Sequence, residues 1–84
     1  MPAGIGVTLR EARIRAGVQL SDVQTQTGVK AKYLRALEWE RFDLLPNSQY
    51  TRRVLQAHAR VLQLDPDAMI AELERTIATL PRHG

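Results

Sequence analysis

The residues of this chain best suited to chemistry are three cations, Lys30, Lys32 and Arg35, which lie within two turns of a predicted helix. Such a helix turns them outward together with two small residues, Ala31 and Ala36, which let a partner approach closely. Lysine and arginine bind phosphate and carboxylate oxygens through charge-assisted hydrogen bonds. The pattern predicts a surface for an acidic partner, although a helical pair whose basic face is merely solvated would have the same sequence.

Residues typical of catalysis or metal binding are scarce. The 84 residues include no cysteine, which excludes disulfides, thiolate metal sites and thiol catalysis. Neither His58 nor His83 has a carboxylate or second imidazole at metal-ligand spacing. Ser21 and Ser48 fall on separate elements without a base, and a chain this short buries only about 60% of its unfolded surface. We therefore predict a non-enzymatic binding module with no catalytic residue, metal, cofactor or small-molecule substrate.

A helix-turn-helix over residues 18–39 would position the three cations. Gly28 supplies the left-handed backbone conformation that a sharp turn needs. Before and after Gly28, apolar residues at helical spacing mark the inward faces of the two motif helices: Leu20, Val23, Val29, Tyr33, Leu34 and Leu37. We expect Arg13, on a preceding helix, to form a structural salt bridge with Glu38 at the end of the second motif helix.

Three further helices complete an all-α, five-helix prediction. The first begins at Ile5 and stops at Gly17. The fourth begins at Asn47 or Ser48 and runs to about residue 62, and the fifth begins after Asp65, a strong start signal because proline follows it. The predicted organisation is a flexible lead over 1–4, a single domain over 5–80 and a flexible end over 81–84.

The fourth and fifth helices each carry apolar faces whose partners the sequence leaves open. On the fourth helix, one stripe belongs to the core: Leu55, Ala59 and Leu62. A second stripe can face another helix or a protein partner: Tyr50, Val54, His58 and Val61. The fifth helix has a long apolar face, which we expect to close the bundle rather than form a homodimer: Met69, Ile70, Leu73, Ile77 and Leu80.

Positive charge is concentrated in the first half of the chain. The formal net charge is +3 and the pI is about 10.0. Residues 1–42 hold seven Lys/Arg against four Asp/Glu, whereas residues 43–84 hold five of each, which favours an anionic partner for the helix-turn-helix half. No apolar run approaches the ~20 residues of a membrane span. We expect a cytoplasmic domain, either independent or the cytoplasmic part of a membrane-anchored chain.

Four segments between Ile5 and about Leu73 occur together in this chain: IGVTLREARIRAG, TGVKAKYLRALE, FDLLP and YTRRVLQAHARVLQLDP. With these segments the sequence resembles the cytoplasmic helix-turn-helix domain of the bacterial cell-shape protein RodZ. This resemblance implies a fold similar to lambda repressor and Cro, which bind DNA through the equivalent of the third helix. It also implies a second function, docking on the actin-like filament protein MreB through the fourth helix.

Departures from the RodZ-like pattern bear on that choice. Val54 and His58 stand where aromatic residues are usual on the face offered to MreB, which leaves only Tyr50 as an aromatic anchor. Arg35 occupies a place that is more often acidic, and Arg53 replaces a glycine. We therefore expect double-stranded DNA as the partner, bound by Lys30, Ala31, Lys32, Arg35, Arg52 and Arg53. The alternative is an MreB-like filament bound by Tyr50, Val54 and His58.

Other features predict that DNA would be bound mostly through its backbone. Leu20 stands where lambda-type repressors place a phosphate-binding glutamine, and Gln24 stands where closely crossing motif helices usually have alanine. The outward residues of the third helix include no Asn or Gln to read adenine. We expect weak sequence preference, binding as a dimer or within a longer chain, and a log–log salt slope on the order of −4 to −5 if five cations each release a counterion.

Overall fold

The computed structural model describes residues 4–78, which form five α-helices, one 3-10 turn and the loops between them. The helices are α1 (Ile5–Ala16), α2 (Leu20–Thr27), α3 (Ala31–Glu38), α4 (Ser48–Val61) and α5 (Pro66–Ala78), and the 3-10 turn spans Phe42–Leu44. No strand occurs within these residues. The all-α, five-helix prediction is confirmed, whereas the expectations for residues 1–3, Leu80, His83 and the flexible end over 81–84 lie outside the described residues.

The helix boundaries follow local signals in the sequence. Gly17 and Gly28 adopt left-handed conformations, with φ of 71° and 77°, and end α1 and α2. Asn47, rather than Ser48, caps α4, because its side-chain Oδ1 accepts a hydrogen bond from the Tyr50 N–H at 2.7 Å. The Asp65 carboxylate accepts from the Asp67 N–H at 3.0 Å at the start of α5. In both caps the donor and the acceptor lie two or three residues apart in the sequence.

Every helix contributes to one apolar core, and α4 lies at its centre. The buried apolar residues are Ile5, Leu9, Val23, Leu34, Ala36, Leu37, Leu45, Val54, Leu55, Ala59, Met69 and Leu73. Helix α4 packs against α2, α3 and α5. Helix α5 contributes Met69 and Leu73 to this core and leaves Ile77 40% exposed, so it closes the bundle as expected.

The second stripe of α4 is part of this core and is not a free face. Val54 and His58 are fully buried, and Tyr50 is half-buried with its ring edge-on to Tyr33 of α3. The assignment of Tyr50, Val54 and His58 to an exposed partner face is therefore wrong for Val54 and His58. The physical reason is that α3 crosses α4 on this side, so both stripes of α4 are covered.

Helix α1 approaches the end of α3 at two glycines. A Cβ at Gly6 would collide with the backbone carbonyl oxygen of Glu38, and a Cβ at Gly4 would collide with the Glu40 carboxylate. Gly4 precedes α1 without a capping side chain, and the Glu40 Oε2 takes that role by accepting a hydrogen bond from the Gly6 N–H at 3.0 Å. The first turn of α1 is thus capped by a side chain that lies 34 residues further along the chain.

Candidate nucleic-acid interface

A buried polar cluster anchors α3 to its neighbours. The Glu38 carboxylate, 2% exposed as a residue, accepts hydrogen bonds from Arg13 Nε at 2.8 Å and from Arg13 Nη2 at 3.0 Å. On its other side, Glu38 Oε2 lies 2.8 Å from His58 Nε2. Arg13 also donates from Nη1 to the Val18 carbonyl oxygen at 3.2 Å. Helices α1, α3 and α4 therefore meet at one carboxylate, which fixes the orientation of α3.

The cluster keeps Glu38 ionised. Burial by itself raises the pKa of the Glu38 carboxyl, but the hydrogen bonds from His58 and Arg13 outweigh burial and hold this pKa below its usual range. The same carboxylate raises the pKa of the Arg13 guanidinium. A buried carboxylate paired with a half-buried guanidinium fits a positioning role for these residues rather than a role in binding a partner.

The turn between α2 and α3 is closed by a side chain that the sequence analysis left unassigned. Gln24 is exposed, and its Oε1 accepts a hydrogen bond from the Ala31 N–H at 2.7 Å, at the first turn of α3. Gln24 therefore points aside and caps the next helix. The cap sets the angle at which α3 leaves the turn.

The exposed side of α3 is a narrow stripe, which we call the α3 stripe: Lys32, Arg35 and Trp39. These residues follow one another at spacings of three and four, so they line one face of the helix. Lys30 is also exposed and stands at the N-cap. Within residues 4–78, neither Lys30 nor Lys32 nor Arg35 has an acidic partner, and Lys32 Nζ lies 5.1 Å from the Tyr33 ring centroid.

The two alanines that were expected to face outward beside these cations differ in their solvent exposure. Ala36 is 4% exposed and belongs to the core, so its outward placement is wrong. The reason is that Ala36 packs within the core cluster, and the 3-10 turn that follows α3 also packs against this helix. Ala31 is half-buried and contributes its backbone to the cap described above.

The two arginines at the start of α4 diverge. Arg52 is directed to α5, where its Nε lies 3.7 Å from Glu74 Oε1, an exposed pair. Arg53 instead lines an open groove of about 400 Å³ between α4 and the α2–α3 turn, together with Thr27, Gly28 and Arg60. Of the two, only Arg53 is thus a neighbour of the turn that precedes α3. Arg60, which the sequence analysis did not single out, is brought to the same groove by its position two turns further along α4.

Sequence reasoning also overlooked Trp39 and Arg10 at the far end of the α3 stripe. Trp39 is 60% exposed, and Arg10 Cζ of α1 lies 4.4 Å from the centroid of its ring. Exposure of the single tryptophan was not evident from periodicity, because residue 39 continues the spacing of Lys32 and Arg35 only if the helix reaches that far. In the described residues, no group of three or more His, Cys, Asp or Glu side chains could hold a metal ion.

Comparison with known proteins identifies this arrangement. A family model described as a helix-turn-helix domain matches residues 8–69 of the chain. The chain belongs to this helix-turn-helix family. This chain is 38% identical over 66 residues to the cytoskeleton protein RodZ of Streptococcus pneumoniae. It is 32% identical over 60 residues to the uncharacterized membrane protein YmfM of Bacillus subtilis. The expected resemblance is therefore confirmed.

A solved structure agrees with the fold of the RodZ-like domain. YmfM from Staphylococcus aureus, described as a proposed DNA-binding membrane protein, superposes with a TM-score of 0.79 at 30% sequence identity. The similarity covers 86% of this chain and 89% of that one. By contrast, the matches cover only 24% of RodZ and 21% of the Bacillus YmfM, so the chain spans about a quarter of the curated relatives it matches. No helix among residues 4–78 is long and apolar enough to cross a membrane.

Proposed function

We propose that this domain binds double-stranded DNA, with α3 in the major groove, as the DNA-binding part of a longer membrane-associated protein. The observation that carries the proposal is the set of free cations on and before α3: Lys30, Lys32 and Arg35. They are exposed and have no acidic partner within residues 4–78, so their charges are available to phosphates. A helix of α3's size fits a major groove about 12 Å wide.

The surroundings of α3 support the same function. Gly28 and Gln24 hold the turn, and the Arg13–Glu38 pair holds the opposite end of α3, so the helix is presented rigidly. A preorganised surface loses little conformational entropy on binding. Arg53 and Arg60 add positive charge beside the turn. The membrane association of the whole protein is inferred from the printed names of its YmfM relatives.

Docking on an MreB-like filament is the competing function for a RodZ-like chain. The face that the sequence analysis offered to such a filament is Tyr50, Val54 and His58, and two of these side chains are fully buried. Buried side chains cannot supply the anchor contacts of an interface without unpacking α4 from α3. The exposed, unpaired cations therefore favour DNA over this route.

The proposal is tested by fluorescence anisotropy with a labelled 20-base-pair duplex at several salt concentrations. If three to four cations each release about one counterion, the slope of log K against log salt should be about −3 to −4. The double variant Lys30→Glu, Arg35→Glu should abolish this binding. Failure of the wild-type domain to bind any duplex at low salt would refute the proposal.

A matched control separates the proposed surface from overall charge. Arg15→Glu combined with Arg75→Glu changes the net charge by the same amount, and both arginines are exposed outside the α3 stripe. This control should retain most of the binding. Equal losses in the two double variants would contradict a defined surface and would indicate only general attraction to a polyanion.

A further inference from the structure

The contact between Arg10 and Trp39 has no role in the DNA-binding surface proposed above. Trp39 presents 60% of its surface to solvent, although a large aromatic ring normally stabilises a small domain by being buried. The guanidinium carbon of Arg10 lies 4.4 Å from the ring centroid, in the range of a cation–π contact. Arg10 has no acidic partner within the part of the chain that the structure describes.

The position of this pair relates it to the cations of α3. Lys32, Arg35 and Trp39 follow one another along the α3 stripe, so the ring continues the line of positive charge toward the C-terminal end of the helix. Seven residues of helix span about 10 Å, close to the width of the major groove. A helix that enters the major groove near Lys32 therefore brings Trp39 to the sugar-phosphate backbone at the edge of the groove.

We propose that Arg10, held over the Trp39 ring, is a phosphate contact that completes the far end of the DNA surface. This inference rests on the DNA-binding function proposed above and deepens it, because it assigns a second helix, α1, to the interface. The ring restricts the guanidinium to one plane, and an arginine oriented in advance offers its paired N–H donors to phosphate oxygens at little entropic cost. The exposed ring face itself can pack on the deoxyribose.

The chain provides its own reporter for this inference, because Trp39 is its single tryptophan. Tryptophan emission and its quenching by acrylamide are recorded while a duplex is added, and anisotropy of a labelled duplex follows binding in parallel. We expect bound DNA to protect Trp39 from acrylamide. If anisotropy reports binding while the emission and quenching of Trp39 stay unchanged, the inference is overturned and the proposed function stands.

Substitutions test the role of the cation. Arg10→Gln should lower the affinity about 5- to 10-fold at low salt and make the salt slope shallower by about 0.9, the value for one lost phosphate contact. Arg10→Lys should keep the slope but lose affinity, because lysine keeps the charge without the planar group. Trp39→Leu should weaken binding without changing the slope. Neither Arg10 nor Trp39 is buried, so circular dichroism should show that all three variants retain the fold.

Arg15→Gln is the matched control, since Arg15 is an exposed arginine on the same helix and outside the Arg10–Trp39 pair. Its slope should stay within error of the wild-type value. Equal effects of Arg10→Gln and Arg15→Gln would contradict a specific contact at Arg10. If no duplex binds the wild-type domain at all, the proposed function and this inference both fail, an outcome readily distinguished from the loss of the Arg10 contact alone.

Discussion

His58 Nε2 lies 2.8 Å from Glu38 Oε2, and both side chains are shut off from solvent. The Nδ1 atom of His58 has no hydrogen-bond partner within residues 4–78. Because the Glu38 carboxylate accepts, His58 Nε2 carries the hydrogen of this contact and donates it. With Arg13 on the other side, Glu38 joins three helices, and the orientation of the proposed DNA-binding helix depends on it.

Removal of the Glu38 carboxylate should destabilise the domain severely. Glu38→Ala leaves the Arg13 guanidinium and the His58 N–H without their acceptor, and breaking a buried pair in this way costs about 3–5 kcal/mol. That is a large part of the total stability of a domain this size, about 4–12 kcal/mol. Urea denaturation followed by circular dichroism measures the change. Glu74→Ala, at an exposed pair on α5, should change the stability by less than about 1 kcal/mol.

A double-mutant cycle distinguishes the ion pair from simple loss of packing. Arg13→Ala and Glu38→Ala together should cost less than the sum of the two single changes, with a coupling energy of about 1–3 kcal/mol. Strict additivity of the two changes would contradict a direct role for the pair in stability.

Stability should fall at acidic pH in a manner that depends on Glu38. Its pKa is lower in the folded protein than in the unfolded chain because, despite burial, His58 and Arg13 stabilise the carboxylate. A group of this kind stabilises the fold fully above its unfolded pKa, about 4.3, and loses that contribution as the pH falls through the lower folded value. Denaturation curves from about pH 6 to about pH 3 should therefore be less steeply pH-dependent for Glu38→Gln than for wild type. Parallel pH profiles would contradict the assignment.

Gly6 should be intolerant of any side chain. A Cβ there would collide with the Glu38 backbone carbonyl oxygen, so Gly6→Ala must push α1 away from α3. We expect a loss of about 2–3 kcal/mol, the upper part of the range of about 1–3 kcal/mol that is typical of overpacking. Gly28→Ala is the informative comparison, because no atom lies within 4 Å of a Cβ there and only the positive φ of 77° is unfavourable. That variant should lose about 1–2 kcal/mol, and an equal tolerance at both positions would contradict the close approach of α1 and α3.

Loss of the Gln24 cap should weaken both stability and DNA binding. Gln24→Ala removes the acceptor for the Ala31 N–H and should cost about 1 kcal/mol, as other helix caps do. Because the cap sets the angle of α3, we also expect weaker duplex binding with an unchanged salt slope, since no phosphate contact is lost. Gln26→Ala, at an exposed position on the same helix, is the control and should leave stability unchanged. Thermal unfolding and anisotropy measure the two effects.

Much of the fold was readable from residues close together in sequence. Gly17, Gly28, Asn47 and Pro66 mark helix ends through backbone conformations and caps that involve only neighbouring residues, and these boundaries were anticipated. The spacing of apolar residues likewise indicated which helices were amphipathic. Helix formation and capping are short-range effects, so a local pattern is sufficient to determine them.

Burial of particular side chains was decided only by the tertiary structure. The stripe with Val54 and His58 has the same periodicity whether it meets a partner or α3, and only the crossing of α3 over α4 removes it from the surface. The burial of Ala36, the capping role of Gln24 and the exposed ring of Trp39 were equally invisible in the sequence. Solvent exposure depends on contacts between residues far apart in the chain, and periodicity within one helix carries no information about which other helix will cover it.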